Sequence, residues 1–220
     1  MLLAATGDLV LLGLVAGLSP IPAVAAVLAA GAPNPATGPA FAFGWVASLG
    51  ALTAILAFAA GEVDPTNLAF DAGVQVLVGA VLLLAALRKW RARPRGDAPV
   101  LPPRWMSSLQ DGPTRGFGVG AALGGLNPKH LALAAAAAAT MHYHGLFGPQ
   151  AALAAVLFTA AGSCTVIAIA LAGALGGPRS TRALEALKRF MLRHNSVIMM
   201  ALFALVGAKL LSDGLLVLLR

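Results

Sequence analysis

The stretches Gly17-Leu18-Ser19-Pro20-Ile21-Pro22 and Gly124-Gly125-Leu126-Asn127-Pro128-Lys129-His130 decide how this chain is read. Each lies near the middle of a long apolar run, at 9–30 and 116–141. A proline inside a helix removes a backbone donor and clashes with the carbonyl one turn earlier, so neither run predicts a straight helix. Freed carbonyls and helix-end amides persist at membrane depth only where they are buried in protein or line a cavity. Both stretches therefore point to broken helices turned toward the interior of a membrane protein.

Composition supplies the membrane. Of 220 residues 59% are hydrophobic and 10% charged, with a mean hydropathy of +0.86. A soluble domain usually carries about 25% charged residues, and 15 basic and 8 acidic side chains are too few to coat a water-soluble surface here. A helix needs about 20 apolar residues to cross the hydrocarbon core. Such runs occur at 9–30, 39–60, 68–87, 116–141, 149–175 and 195–218, separated by Gly/Pro/Asn-rich punctuation. These lengths suit helices and exceed the roughly ten-residue strands of membrane barrels. The expected fold is an all-α membrane protein of six transmembrane helices, with helices 1 and 4 broken by proline. The single cysteine, Cys164, lies inside an apolar run and allows no intramolecular disulfide. Residues 1–10 lack a basic leader and carry Asp8, which predicts the start of a retained helix.

Charge sets the orientation. The net charge is +7, and twelve of the fifteen Lys and Arg fall in two segments, 88–115 and 179–193. Segments of that kind between apolar runs are cytoplasmic by the positive-inside rule, a better fit than nucleic-acid binding. The loop after the second run carries Glu62, Asp64 and Asp71 without Lys or Arg and is expected outside. These assignments agree only if both termini of a multi-pass inner (plasma) membrane protein are external. Segment 88–115 holds five prolines and predicts an irregular loop. Segment 179–193 predicts an amphipathic cytoplasmic helix, with Leu184, Leu187 and Met191 on one face and Arg182, Lys188 and Arg189 largely on another. Its simplest role is an anchor on anionic lipid.

The halves share three landmarks in one order. Gly17-Leu-Ser-Pro20 matches Gly125-Leu-Asn-Pro128, Gly38-Pro39 matches Gly148-Pro149, and Leu77-Val-Gly-Ala-Val-Leu-Leu83 matches Leu205-Val-Gly-Ala-Lys-Leu-Leu211. Three helices per copy is an odd number, so the second copy inserts upside down, the inverted-repeat plan of many secondary transporters. The chain divides into a first repeat at 1–90, a basic linker at 91–115 and a second repeat at 116–220.

Broken helices at equivalent positions in two halves point to a substrate site, here Ser19, Pro20 and Pro22 with Asn127, Pro128, Lys129 and His130. Lys129 lies too deep in its run to snorkel easily, and a buried cation at that depth is costly. It either attracts an anionic group across a central cavity or caps carbonyls freed at the break. His130 relays a proton or bonds a neighbouring helix. Asn127 and Ser19 satisfy backbone groups before the prolines or touch the ligand. Lys209 and Asp213, four apart, share a helix face and pair, for structure or for a coupling ion. His142 and His144 lie on different helix faces with no cysteine or carboxylate close in sequence, so no metal site is expected. No phosphate loop, nucleophile elbow or zinc signature is present, so neither an enzyme nor a cofactor is expected.

The motifs Gly17-Leu-Ser-Pro-Ile-Pro22, Phe41-Ala-Phe-Gly-Trp45 and Gly125-Leu-Asn-Pro-Lys-His-Leu-Ala132 resemble the GAP or sulfolipid-addressing family of actinobacterial membrane proteins, over essentially the whole chain. That family is distantly similar to the lysine-exporter superfamily. The resemblance implies movement of cell-envelope glycolipids toward the surface, with Asn127, Pro128 and Lys129 as the most specific element. The expected function is transport, or assistance to transport, of an anionic lipid or glycolipid, with membrane lipids and a larger export machine as partners and homo-oligomers allowed. The alternative is a secondary exporter of an amino acid or cation. A lipid carrier predicts an apolar lateral opening, and a small-solute exporter a closed hydrated pocket.

Overall fold

Alanine and leucine dominate the apolar runs, and both are strong helix formers. In the computed structural model, which describes residues 2–63, 67–91 and 103–219, every regular element is helical. In chain order these are α1 (Leu2–Gly17), α2 (Pro20–Ala30), α3 (Thr37–Gly61), α4 (Leu68–Arg91), a short 3-10 helix (Arg104–Asp111), α5 (Pro113–Gly125), α6 (Pro128–Tyr143), α7 (Pro149–Leu175) and α8 (Pro178–Leu218). Prolines open α2, α5, α6, α7 and α8, where the missing N–H has no intrahelical partner to lose.

Among the described residues, α3, α4, α7 and α8 are each long and apolar enough to cross a membrane. The segments Ala5–Gly17 and Pro20–Ala30 make a fifth crossing if taken together, bent by 61° at the Leu18-Ser19 break. The expected run at 116–141 is divided into α5 and α6, of 13 and 16 residues. The protein is thus an all-helical, multi-pass membrane protein, broken at both sequence motifs that predicted it.

Two expectations are corrected. Segment 179–193 is not a separate surface helix but the first part of the 41-residue α8. No glycine or proline interrupts the chain from Arg179 to Val206, so nothing ends the helix there. Its amphipathic pattern is nonetheless present, with Met191 buried, Leu184 and Leu187 half-buried, and Arg182 and Arg189 exposed. In the basic linker, residues 104–111 are helical instead of irregular, and bury Met106 and Leu109. Residues 92–102 and Asp64 lie outside the described residues.

Helix pairing rests on small residues, which let backbones approach where lipid offers no hydrophobic drive between helices. Gly13 and Gly17 of α1 lie against Phe158, Ala161 and Gly162 of α7. Gly116, Gly120 and Gly124 of α5 lie in turn against Thr37, Phe41 and Trp45 of α3. Residue numbers rise together in both pairs, so each pair runs parallel. α4 and α8 run antiparallel: Gly79 faces Gly207 and Leu211, while Gly207 faces Gly79 and Leu83. In addition α2 packs on α7 and α8, and α6 on α3 and α4.

A Cβ on Gly79 would lie 2.7 Å from the Leu211 nitrogen, whereas one on Gly73 would meet nothing within 4 Å. Gly79→Val or Gly207→Val is expected to destabilise the fold by about 1–3 kcal/mol, as overpacked interiors do. Thermal unfolding in detergent should show a lowered midpoint for both and no lowering for Gly73→Ala.

Candidate functional site

In an unbroken helix the N–H groups of Ser19 and residue 20 would satisfy the carbonyls of Val15 and Ala16. Pro20 has no N–H, and Ser19 is extended at φ −96°, ψ 118°, so both carbonyls are released. The second break repeats this chemistry. Asn127 is extended at φ −76°, ψ 121° and Pro128 follows it, which releases the carbonyls of Leu123 and Gly124.

Donors from α6 meet all four. Lys129 Nζ donates to Val15 O at 2.7 Å and to Ala16 O at 3.2 Å. His130, fully buried, has Nδ1 2.8 Å from Leu123 O and 3.1 Å from Gly124 O, and Nε2 3.2 Å from Ala16 O. A neutral imidazole owns one N–H, so it donates to one break, and a protonated ring donates to both. Asn127 Oδ1 accepts from the Lys129 backbone N–H at 3.0 Å and caps α6. Trp45 closes the junction, its ring edge-on to His130 at 4.9 Å and its Nε1–H donating to Gly162 O at 3.3 Å. The structure therefore brings Lys129, His130, Asn127 and both break prolines together. Ser19 is buried at the same break but turns its hydroxyl toward Met199 Sδ, 3.9 Å away, and does not cap α2. Pro22 is buried in the first turn of α2.

Beside this junction, α3 and α7 part to form a cleft of about 940 Å³. Its walls are mainly apolar, including Val46, Ala54, Phe58, Phe147, Ala155 and Ile167, with Thr159, Ser163 and Glu62 among them. Neither Lys129 nor His130 lines it. On α3 the cleft begins at Val46, one residue beyond Trp45, on α7 it runs past Gly162 as far as Ile167, and at its other end it reaches Glu62 and Phe147.

A site absent from the sequence reading lies near that far end. His142 Nδ1 and Asp71 Oδ2 are 2.8 Å apart and buried, joining α6 to α4. His142 Nε2 lies 3.2 Å from Val63 O, and Phe147 sits edge-on to the imidazole at 5.6 Å. Asp71 looked like a loop acid and His142 a poor metal ligand. The usable signal was a carboxylate opening an apolar run, which demands a partner. Lys209 meets Asp213 at 2.5 Å as expected, and also Asp8 of α1 at 2.9 Å. All three are partly exposed, and they tie the first helix to the last. Among the described residues no group of three or more His, Cys, Asp or Glu could hold a metal ion.

Residues 9–216 match the sequence model of a family described as Sap, sulfolipid-1-addressing protein. The chain belongs to this sulfolipid-1-addressing family. No curated protein and no solved structure matches it. The matched region contains both breaks, the α3–α7 cleft and the Asp71–His142 pair, so all of them fall within the part of the chain that the family shares.

Lys129→Met leaves Val15 O without its side-chain donor and Ala16 O to His130 Nε2 alone, and is expected to cost about 1–3 kcal/mol, the penalty of an unmet buried polar group. Lys129→Arg, which keeps the donors, should lose far less, both being read as unfolding midpoints in detergent. Asp71→Leu and His142→Leu each strand a buried partner, for about 3–5 kcal/mol. The double variant should recover much of that loss; strictly additive losses would show that the two side chains are not coupled.

Proposed function

We propose that this protein moves, or helps another machine to move, an anionic lipid or glycolipid of the cell envelope. An acyl chain lies in the α3–α7 cleft, and the headgroup passes beside Lys129. The cleft is the observation that carries this reading. From Val46 to Glu62 it follows sixteen residues of α3, about 24 Å at the helical rise, which is most of a hydrocarbon core roughly 30 Å thick. Its apolar walls suit a lipid chain, whereas the alternative, export of an amino acid or cation in the lysine-exporter manner, calls for a closed hydrated pocket. The family description names a sulfolipid, which agrees with a lipid substrate. Lys129 has a third N–H beyond its two carbonyl bonds and keeps part of its surface exposed, so its charge is available to an anionic headgroup. No enzymatic step and no cofactor belongs to this reading.

The same reading takes the fold as two inverted three-helix repeats with six crossings. Exchanging α1–α2 with α5–α6, α3 with α7 and α4 with α8 converts the α1–α7 packing into α5–α3 and the α2–α8 packing into α6–α4. The α3–α7 and α4–α8 packings map onto themselves. The reciprocal contacts of Gly79 and Leu83 with Gly207 and Leu211 are those a two-fold axis generates. Antiparallel α4 and α8, with Asp8 bound to Lys209, put both termini at the Asp71 end, opposite Arg88, Lys89 and Arg91. With the basic end cytoplasmic, both termini are external in the plasma membrane.

Tryptophan at Ala51 or Ala152, both on the cleft wall, should fill it without touching the break. Native mass spectrometry of gently purified protein is expected to show at least about tenfold less co-purifying anionic lipid at an unchanged unfolding midpoint, the scale set by losing a few buried methylenes of contact. Lys129→Glu should lower lipid export from cells at normal protein levels. Undiminished lipid retention in both tryptophan variants would overturn the cleft as the lipid site, and undiminished export the role of Lys129.

A further inference from the structure

Asp71 and His142 form a buried ionisable pair with more acceptors than donors. His142 places Nδ1 2.8 Å from Asp71 Oδ2 and Nε2 3.2 Å from Val63 O, so both ring nitrogens face an oxygen. Among the described residues Asp71 Oδ1 has no hydrogen-bond partner. A neutral imidazole owns one N–H, and an ionised carboxylate owns no donor. That combination satisfies one of the two contacts and sets a lone pair against a lone pair at the other. One added proton removes the conflict. Either the ring carries both N–H groups, or a carboxylic acid donates to Nδ1 while Nε2–H donates to Val63 O. In both forms Nε2 is protonated and the pair has no net charge, which suits its burial. These contacts stand at one mouth of the α3–α7 cleft. Val63 follows Glu62, Phe147 is edge-on to the imidazole at 5.6 Å, and Glu62 and Phe147 both line the cleft.

We propose that Asp71 and His142 form a proton-binding site, and that the bound proton latches the Glu62–Phe147 end of the cleft. When the proton leaves to water, the remaining N–H stays with the carboxylate, the stronger acceptor, and Nε2 turns a lone pair toward Val63 O. The Val63 contact is then lost, the pair carries one negative charge, and the end of α3 loosens from the imidazole and Phe147. Opening of the cleft is thereby coupled to a proton, whatever the cleft holds. Neighbouring charges do not take over this role. Glu62 at the end of α3 is exposed, and Asp8 of α1 pairs with Lys209 of α8, which also holds Asp213. On α6 itself His144 lies edge-on to Tyr143, and α7 carries no Asp, Glu, Lys, Arg or His. Arg115 of α5 and the basic residues ending α4 lie at the opposite end. Among the described residues Asp71 and His142 are the ionisable side chains buried at this one.

Two measurements on the full-length protein in phosphatidylcholine nanodiscs test this. The first is ring-nitrogen NMR of histidine from about pH 5 to about pH 9, which brackets the usual imidazole range. His142 is assigned by the signal lost in His142→Gln. Its Nε2 should carry a proton at the acid end and be bare at the alkaline end; an Nε2 that does not change overturns the proton site. The second is the rate at which a charged methanethiosulfonate labels Ala155→Cys, a buried position on the cleft wall, in a Cys164→Ala background. Asp71→Asn imitates the protonated carboxyl, its amide donating to Nδ1 and leaving Nε2–H on Val63 O, so it should stay latched at every pH. Comparing chains at one pH cancels the thiol's own titration. With Asp71 intact, labelling should equal that of Asp71→Asn at about pH 5 and be about tenfold faster at about pH 9, the scale of one lost hydrogen bond. Equal rates at every pH overturn the latch. The two measurements use different variants, so one decides even if a variant of the other fails to fold. Neither uses a transported lipid, so failure here leaves the lipid reading standing.

Discussion

A backbone carbonyl inside lipid has no water to turn to, and four such carbonyls organise this molecule. Pro20 and Pro128 each deny a hydrogen bond to the turn before them, and the extended residues Ser19 and Asn127 deny a second. The released groups, Val15 and Ala16 in one break, Leu123 and Gly124 in the other, are met by Lys129 and His130 of α6. Because Nζ of Lys129 must reach 2.7 Å from α1, the two breaks are held against each other and cannot drift apart singly. The glycines of α1 and α5 are what permit this closeness, seating each helix against α7 or α3 at backbone distance.

That arrangement separates two jobs that sequence alone merges. The proline motifs hold the polar junction, but the space large enough for a ligand opens next to them, between α3 and α7. Charge and cavity are adjacent without coinciding. Trp45 is the partition: its indole faces His130 on one side, and the cleft begins with the next residue, Val46. The cleft is walled by Ala, Val and Phe, while the Lys129 ammonium lies outside its lining, on the carbonyls of Val15 and Ala16.

The breaks were legible because proline leaves a local signature: its lost donor and its clash depend on no distant residue. The apolar runs were legible for the same reason, since Gly or Pro marks several of the helix ends, as at Gly31, Gly61, Pro149 and Gly176. What stayed hidden was set by tertiary partners. Nothing in the neighbourhood of Asp71 names His142, 71 residues away, and nothing near Lys209 names Asp8 at the other end of the chain. The α3–α7 cleft left no mark either, because Ala, Gly and Val read alike whether they pack against a helix or leave a space. The continuity of α8 was available in the absence of any breaker after Arg179, and was obscured by a change from basic to apolar composition that alters the solvent of a helix without ending it.

The two breaks share geometry but not chemistry. Counting back 108 residues from Leu123 and Gly124 gives Val15 and Ala16, so the released carbonyls correspond; counting back from Lys129 and His130 gives Ile21 and Pro22, which have no side-chain donor. The side-chain donors that meet the released carbonyls therefore both belong to the second half. A symmetric pair of breaks would hold each half by the other and give two equivalent ways to part. Here α6 holds both, and any movement that separates α1 from α6 must first release the Lys129 ammonium from two carbonyls and leave His130 to one break alone. An anionic headgroup offers that ammonium a better acceptor than a neutral carbonyl, since an ionised acceptor shortens and strengthens the bond. On the proposed lipid reading, the same lysine would lock the broken helices when no lipid is present and exchange its carbonyls for a headgroup when one arrives, which would join the two roles that the sequence left open for it.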